Sequence, residues 1–183
     1  MLYIGIMEKP YSETIGLPLL VEGMGKAGRI TDILIDTADG RIAAFFVSNG
    51  HMKIIAPIDI VFFGQAIVVS DFEDIIDADE LIKAKETIEK DIFILKSRVE
   101  TKKGAYLGRV YDYFIDTSFY GLTKIVVYKS YMGLFKTPER IIPAKDIIEI
   151  KKGLIIVKNE WALKFVEQNE EEPLKGFYPD LAS

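Results

Sequence analysis

Residues 27–37 read AGRITDILIDT, and residues 107–117 read LGRVYDYFIDT. At a shift of 80, Gly28, Arg29, Asp32, Ile35, Asp36 and Thr37 recur as Gly108, Arg109, Asp112, Ile115, Asp116 and Thr117. The positions between them are conservative, as with Ile30 and Val110 or Leu34 and Phe114. Downstream, Gly40 aligns with Gly121 after a one-residue insertion. The run IIAPIDIV (54–61) resembles IIPAKDII (141–148) at a shift of 87, which pairs Asp59 with Asp146. An apolar run closes each copy, Ile67-Val68-Val69 and Leu154-Ile155-Ile156-Val157. Like elements in like order point to an internal duplication.

Each copy reads as strands. Residues 30–35 are rich in β-branched side chains and end in the turn set Asp36-Thr37-Ala38-Asp39-Gly40, where glycine tolerates positive φ. Strands are then expected at 41–47, 53–55, 60–63 and 66–69. In the second copy they are expected at 110–115, 122–128, 140–142, 147–150 and 154–157, with a longer loop at 131–139. The gaps are short, so meandering antiparallel pairing follows. The expected fold class is all-β: two small antiparallel β-barrels, 1–72 and 92–183, joined by a helical linker at 73–91, with a short C-terminal helix. Closure of each barrel would hide the sheet edges.

Alternation is imperfect. Ile33, Leu34 and Ile35 are consecutive, as are Phe45 and Phe46, and Ile60 to Phe63. In a two-faced strand one member of each pair points out of its own barrel. The second copy is also crowded with aromatics interleaved with Lys124, Lys129, Lys136 and Arg140. Interface candidates are therefore Phe45, Phe46, Phe62, Phe63, Tyr111, Tyr113, Tyr131 and Phe135. They suit contact with a protein partner and self-association better than stacking on nucleic acid. A net charge of −5 supplies no basic field for a phosphate backbone.

Composition narrows the chemistry. With no cysteine, thiolate nucleophiles and thiolate metal sites are excluded, and the single histidine, His51, leaves no two-imidazole site. No apolar run approaches the about 20 residues of a membrane-spanning helix, so a cytoplasmic protein is expected. Asp32 and Asp36, repeated as Asp112 and Asp116, share a strand face if no bulge intervenes. Paired acids can hold a cation or transfer protons. Beside Arg29, Arg109 and a turn, they are read here as acceptors for backbone amides or for an arginine. Asp59 and Asp146 read as turn residues ahead of a strand, and His51 as a surface imidazole. No catalytic, metal or cofactor residue is assigned.

In the linker, Ala78, Leu81, Ala84 and Ile88 form one apolar stripe, and Asp77 with Glu80 resembles a capping box. A helix over 78–89 that covers one barrel is expected. At the C-terminus, Asn159 reads as a cap before Trp161, Ala162, Phe165 and Val166, and 174–179 is an apolar tail.

The twice-used pattern Gly28-Arg29-Ile30-Thr31-Asp32 through Ile35-Asp36, and Gly108-Arg109-Val110-Tyr111-Asp112 through Ile115-Asp116, resembles the PRC-barrel family. In both copies it is followed by a Gly turn and a late strand introduced by AP or IP with an Asp. That family includes the cytoplasmic domain of the photosynthetic reaction-centre H subunit, and the C-terminal domain of the ribosome-maturation factor RimM is similar. The resemblance spans roughly 10–70 and 92–158. It implies a β-barrel that docks on other macromolecules without catalytic residues or an obligatory cofactor. The chain lacks the H subunit's membrane helix and RimM's separate N-terminal domain, so neither partner carries over. The expected function is a non-enzymatic protein-binding, adaptor or assembly module. The alternatives are an RNA- or ribosome-associated processing factor, and a carboxylate-based cation-binding protein or hydrolase.

Overall fold

Strands dominate the chain, as its β-branched and aromatic runs dictate. The computed structural model describes residues 7–48, 52–131, 135–136 and 140–162; for 130–131 and 135–136 it describes the backbone alone. In the first half, β1 (Glu8–Pro10) and α1 (Tyr11–Thr14) precede β2 (Pro18–Val21), β3 (Gly25–Asp36), β4 (Arg41–Val47), β5 (Lys53–Ile55), β6 (Ile60–Phe63), β7 (Ile67–Val69) and β8 (Ile76–Asp77). Helix α2 (Ile82–Glu89) leads to the second half. There follow β9 (Arg98–Thr101), β10 (Tyr106–Asp116), β11 (Gly121–Tyr128), β12 (Ser130–Tyr131), β13 (Phe135–Lys136), β14 (Arg140–Pro143), β15 (Ile147–Lys151) and β16 (Leu154–Val157). One curled sheet runs β15-β16-β9-β10-β11-β4-β3-β2-β7-β6, so the two halves read outward from the β11–β4 junction in the same order.

Pairing in the two halves repeats residue for residue. In the first hairpin Ile30, Asp32, Ile33, Leu34, Ile35 and Asp36 face Val47, Phe46, Phe45, Ala44, Ile42 and Arg41. In the second, Val110, Asp112, Tyr113, Phe114, Ile115 and Asp116 face Val127, Val126, Ile125, Lys124, Leu122 and Gly121. Every partner differs by 80. Both hairpins carry the same two bulges, one on the long strand at Thr31 and Tyr111, one on its partner at Ala43 and Thr123. A bulge adds one residue and reverses the alternation, but Thr31 precedes Asp32 and Ala43 lies on the partner strand, so Asp32, Leu34 and Asp36 share one face of β3.

Three sequence expectations are corrected here. The counterpart of Gly40 is Tyr120, because Arg41 and Gly121 occupy the same register position with no insertion. Both turn residues are left-handed, Gly40 at φ 72° and Tyr120 at φ 52°. The pairing is not wholly antiparallel, since β2 runs parallel to β7, and β9 runs parallel to β16. The sequence pattern does not reveal β1, β2, β8 or β9, and where a loop is expected over 131–139 the short strands β12 and β13 pair; without β2 and β9 no parallel partner is legible. Finally, the linker helix starts at Ile82 rather than 78, because Ile76–Asp77 pairs with β5 and extended backbone there holds the helix off. Glu80 does accept from the Asp77 amide at 2.9 Å, but within a turn before the helix. A reciprocal capping box forms instead at Asp71 and Asp74, ahead of a 3-10 turn.

The main core draws on both halves: Leu19, Ile30, Phe45 and Ile67 belong to the same cluster as Val99, Val110, Ile125 and Ile155. A second cluster joins Ala44, Ile54, Leu34 and Phe46, on the outward side of the first hairpin, to Ala78, Leu81, Ala84 and Ile88. The linker stripe thus covers the outward apolar residues of the first hairpin, as expected from its spacing, and leaves Val61 and Phe62 uncovered. At the far end, Trp161 packs on the main core and its Nε1 donates to Asp146 at 3.2 Å. The Asn159 side chain accepts from the Lys103 amide at 2.9 Å rather than capping its own turn. Phe165, Val166 and the apolar tail lie outside the described residues, as does His51. Among the described residues no helix is long and apolar enough to cross a membrane.

Candidate functional site

The repeated motif has a structural use that is visible bond by bond. Gly108 stands at φ 138°, and a Cβ there would lie 2.2 Å from the Tyr128 carbonyl oxygen, so no other residue fits. Arg29 donates from Nη1 to the Gly16 carbonyl at 2.7 Å, and Arg109 donates to the Lys96 carbonyl at 2.9 Å, again 80 residues on. Gly16 and Lys96 are both left-handed. The arginines therefore cap a kinked backbone and do not meet the neighbouring aspartates.

The aspartates accept amides. Asp32 takes the Ile33 amide and Asp112 the Tyr113 amide, each at 2.8 Å. Asp36 takes the Ala38 amide at 3.0 Å, while Asp116 takes those of Ser118 and Phe119. The Ala38 amide, with Lys90 and Lys83 close by, holds the Asp36 carboxyl below the usual range despite partial burial. Asp146, buried in a 3-10 turn, is likewise held low by Lys158 at 2.6 Å. Its counterpart Asp59 is pushed the other way, by burial and by the nearby Asp74. Among the described residues no three His, Cys, Asp or Glu side chains converge as a metal site.

The two strand aspartates differ in one respect. Both oxygens of Asp112 are used: Ser12 donates its amide to Oδ1 at 3.2 Å and its hydroxyl to Oδ2 at 2.5 Å. Asp32 receives Tyr11 Oη, at 3.1 Å, on the same Oδ1 that already holds the Ile33 amide. Its Oδ2 takes no hydrogen bond from the described residues. Burial and the Asp32 charge together push the Tyr11 hydroxyl up to about 12, so the phenol stays a donor at all ordinary pH.

The interface candidates separate. Phe45, Phe63 and Tyr113 are buried in the chain's own core, which removes them from any surface. Ordinary strand alternation separates the neighbours, since Phe45 and Phe63 enter the main core while Phe46 and Phe62 point the other way. Phe46 is half-buried against α2. Phe62 and Tyr111 are exposed, at 57% and 56%. The side chains of Tyr131 and Phe135 lie outside the described residues. Of the cations set between the aromatics, Lys124 pairs with Glu8 and lies over the Phe114 ring, Lys129 lies over Tyr106, and Arg140 is buried.

Two surfaces stand out. Strand β6 pairs only with β7 among the described residues and ends the sheet. Val61 and Phe62 are exposed on it, with Ile58 (91% exposed) in the turn before it and Phe72 exposed in the turn after β7. At the opposite end, β15 also exposes Ile148 but sets it beside Glu149 and Lys151. The second surface is a groove of about 580 Å³ between the first hairpin and residues 88–93, lined by Asp32, Leu34, Phe46, Ile88, Ile92 and Phe93. Sequence reading could have found the first from the uncharged run Ile60 to Phe63. The second has no local signal, because it is built from segments more than 30 residues apart.

No protein-family model matches the chain. No curated protein matches it either.

Proposed function

We infer that the chain is a non-enzymatic protein-binding module of two PRC-barrel-like units, 1–72 and 92–183, joined through 73–91, which self-associates or docks on a protein partner along β6. The observation that carries this reading is the uncharged apolar edge. Natural edge strands are blunted by charge, as β15 is by Glu149 and Lys151, whereas β6 presents Val61 and Phe62. Burying a side chain of this kind contributes about 1.5–3 kcal/mol, and Ile58, Val61, Phe62 and Phe72 together could offset the entropy of association. An exposed strand edge also offers backbone groups for an added strand. The hairpin register, repeated at one constant shift, supports tandem units. The motif aspartates accept backbone amides, which supports a structural use for them.

Light scattering over a concentration series, together with affinity capture from native lysate, tests the reading when run on wild type and on a Val61→Lys/Phe62→Glu variant. Growth of the wild-type mass above 20.7 kDa, or a specific protein retained by wild type, is expected and should vanish in the variant. A wild-type monomer at every concentration, with identical captured proteins for both chains, rejects it.

A further inference from the structure

We propose that the groove beside Asp32 is a binding site for a small organic ammonium ion carried on an apolar body. The case begins with the duplication. At the shift of 80, Ser12 corresponds to Ile92, and the correspondence is anchored four residues further on, at Gly16 and Lys96. Gly16 and Lys96 donate to the Ile30 and Val110 carbonyls at 2.8 and 2.9 Å, and both arginine caps obey the same shift. In the second half, α1 closes over Asp112, and Ser12 occupies its outer oxygen. In the first half, residues 92–93 form no helical turn, and Ile92 offers Asp32 no donor. The same carboxylate is thus buried and satisfied in one copy, but half-buried with Oδ2 unmatched in the other.

Asp32 borders an apolar space. Leu34, Phe46, Ile88 and Ile92 form the wall, and Phe93 stands at the rim, 63% exposed. A volume of about 580 Å³ lies within the range of small-molecule sites. A second, smaller cavity continues from the same residues toward Tyr11 and Tyr113. The other charged groups of the wall have partners of their own: Lys53 pairs with Asp77 at 2.9 Å, and Asp91 pairs with Lys152. Among the described wall residues, Asp32 is the one charge without an oppositely charged partner, so the complementary ligand carries one positive hydrogen-bond donor. Lys53, the cation among the described wall residues, is already held by Asp77, so a carboxylate or phosphate would have to displace that pair. The same ammonium chemistry could also arrive as a lysine side chain of a polypeptide, but the inward continuation of the cavity favours a free amine.

The probe is n-octylammonium at submicellar concentration, pH 7, titrated into the full chain and followed by backbone amide NMR. The alcohol 1-octanol and the peptide acetyl-Leu-Lys-Leu-amide serve as comparison ligands. Saturable one-to-one binding is expected, with shifts confined to residues around 31–34, 46–48 and 88–93, and at least tenfold tighter for octylammonium than for octanol. Asp32→Asn keeps the acceptor for the Ile33 amide and should weaken octylammonium tenfold or more. Ile92→Ser supplies the hydroxyl that Asp112 receives from Ser12 and should weaken it similarly; the unliganded spectra report that both variants are folded. Equal affinity for amine and alcohol, an unchanged affinity in both variants, shifts elsewhere on the surface, or absence of saturation overturns the site. Tighter binding of the peptide than of octylammonium overturns the free-amine assignment.

Discussion

At the scale of single residues, duplication makes each position its own control. Gly108 is constrained by the Tyr128 carbonyl and by its φ together, so Gly108→Ala should cost at least about 2 kcal/mol in chemical denaturation. Asp146 and Asp59 hold matching places yet titrate in opposite directions. The Asp146 pKa is depressed, so its stabilisation is complete above the ordinary carboxylate pKa and is lost as pH falls through its own lower value. Asp146→Asn should therefore cost roughly 1–3 kcal/mol at pH 7, with the deficit shrinking as the pH is lowered toward 2. The Asp59 pKa is raised, so its contribution is greatest when protonated and is lost as pH rises through the folded value. Asp59→Asn should leave stability at pH 7 equal or higher by up to about 0.5 kcal/mol. Urea titrations of both variants across pH check the pair; parallel pH profiles would contradict the assignment. The repeated Asp and Gly were legible as a motif, but the partner of each was not. Spacing led to arginine near aspartate, while the arginines actually bind carbonyls of Gly16 and Lys96.

At the scale of elements, the two hairpin turns divide one task. Gly40 adopts its left-handed φ without cost, and Tyr120 adopts the same region against its Cβ. The Tyr120 ring stacks on Phe63 at 6.4 Å and meets Phe45 edge-on at 6.4 Å, both in the first half. Ring packing between the halves offsets the backbone strain. Tyr120→Gly relieves the turn but removes the ring, and should destabilise by about 2–3 kcal/mol, since aromatic burial outweighs a single strained φ. Tyr120→Phe should change stability by under about 1 kcal/mol; a stabilised glycine variant would reverse this account. The hairpins were readable because β-branched runs flank a turn set. Arg98–Thr101 was not readable as a strand, because its charged residues alternate over only four positions and its parallel partner lies more than 50 residues away.

At the scale of the molecule, the halves are tied at their turns. The Ile42 amide donates to the Tyr120 carbonyl and the Leu122 amide to the Gly40 carbonyl, each at 2.8 Å, a reciprocal pair under the shift of 80. The N-terminal β1 pairs with β10 of the second half, Glu8 facing Asp116. With a core drawn from both halves, unfolding should be a single transition. Trp161, the sole tryptophan, reports on the second half. Its fluorescence and the far-UV circular dichroism should therefore change at the same urea concentration. Two separated midpoints would show that the halves unfold independently.

Local chemistry determined the two long hairpins and the apolar strands after them, that the pattern occurs twice, and that an apolar stripe in the linker had to be covered. These follow from side-chain branching, turn residues and periodicity, all properties of neighbours along the chain. Tertiary structure alone decided which apolar residues stay outside, because packing and parallel partners depend on distant segments. It also decided that Asp112 is sealed by Ser12 while Asp32 faces a groove across from Ile92, since one conserved carboxylate acquires its surroundings only when the chain folds back on it.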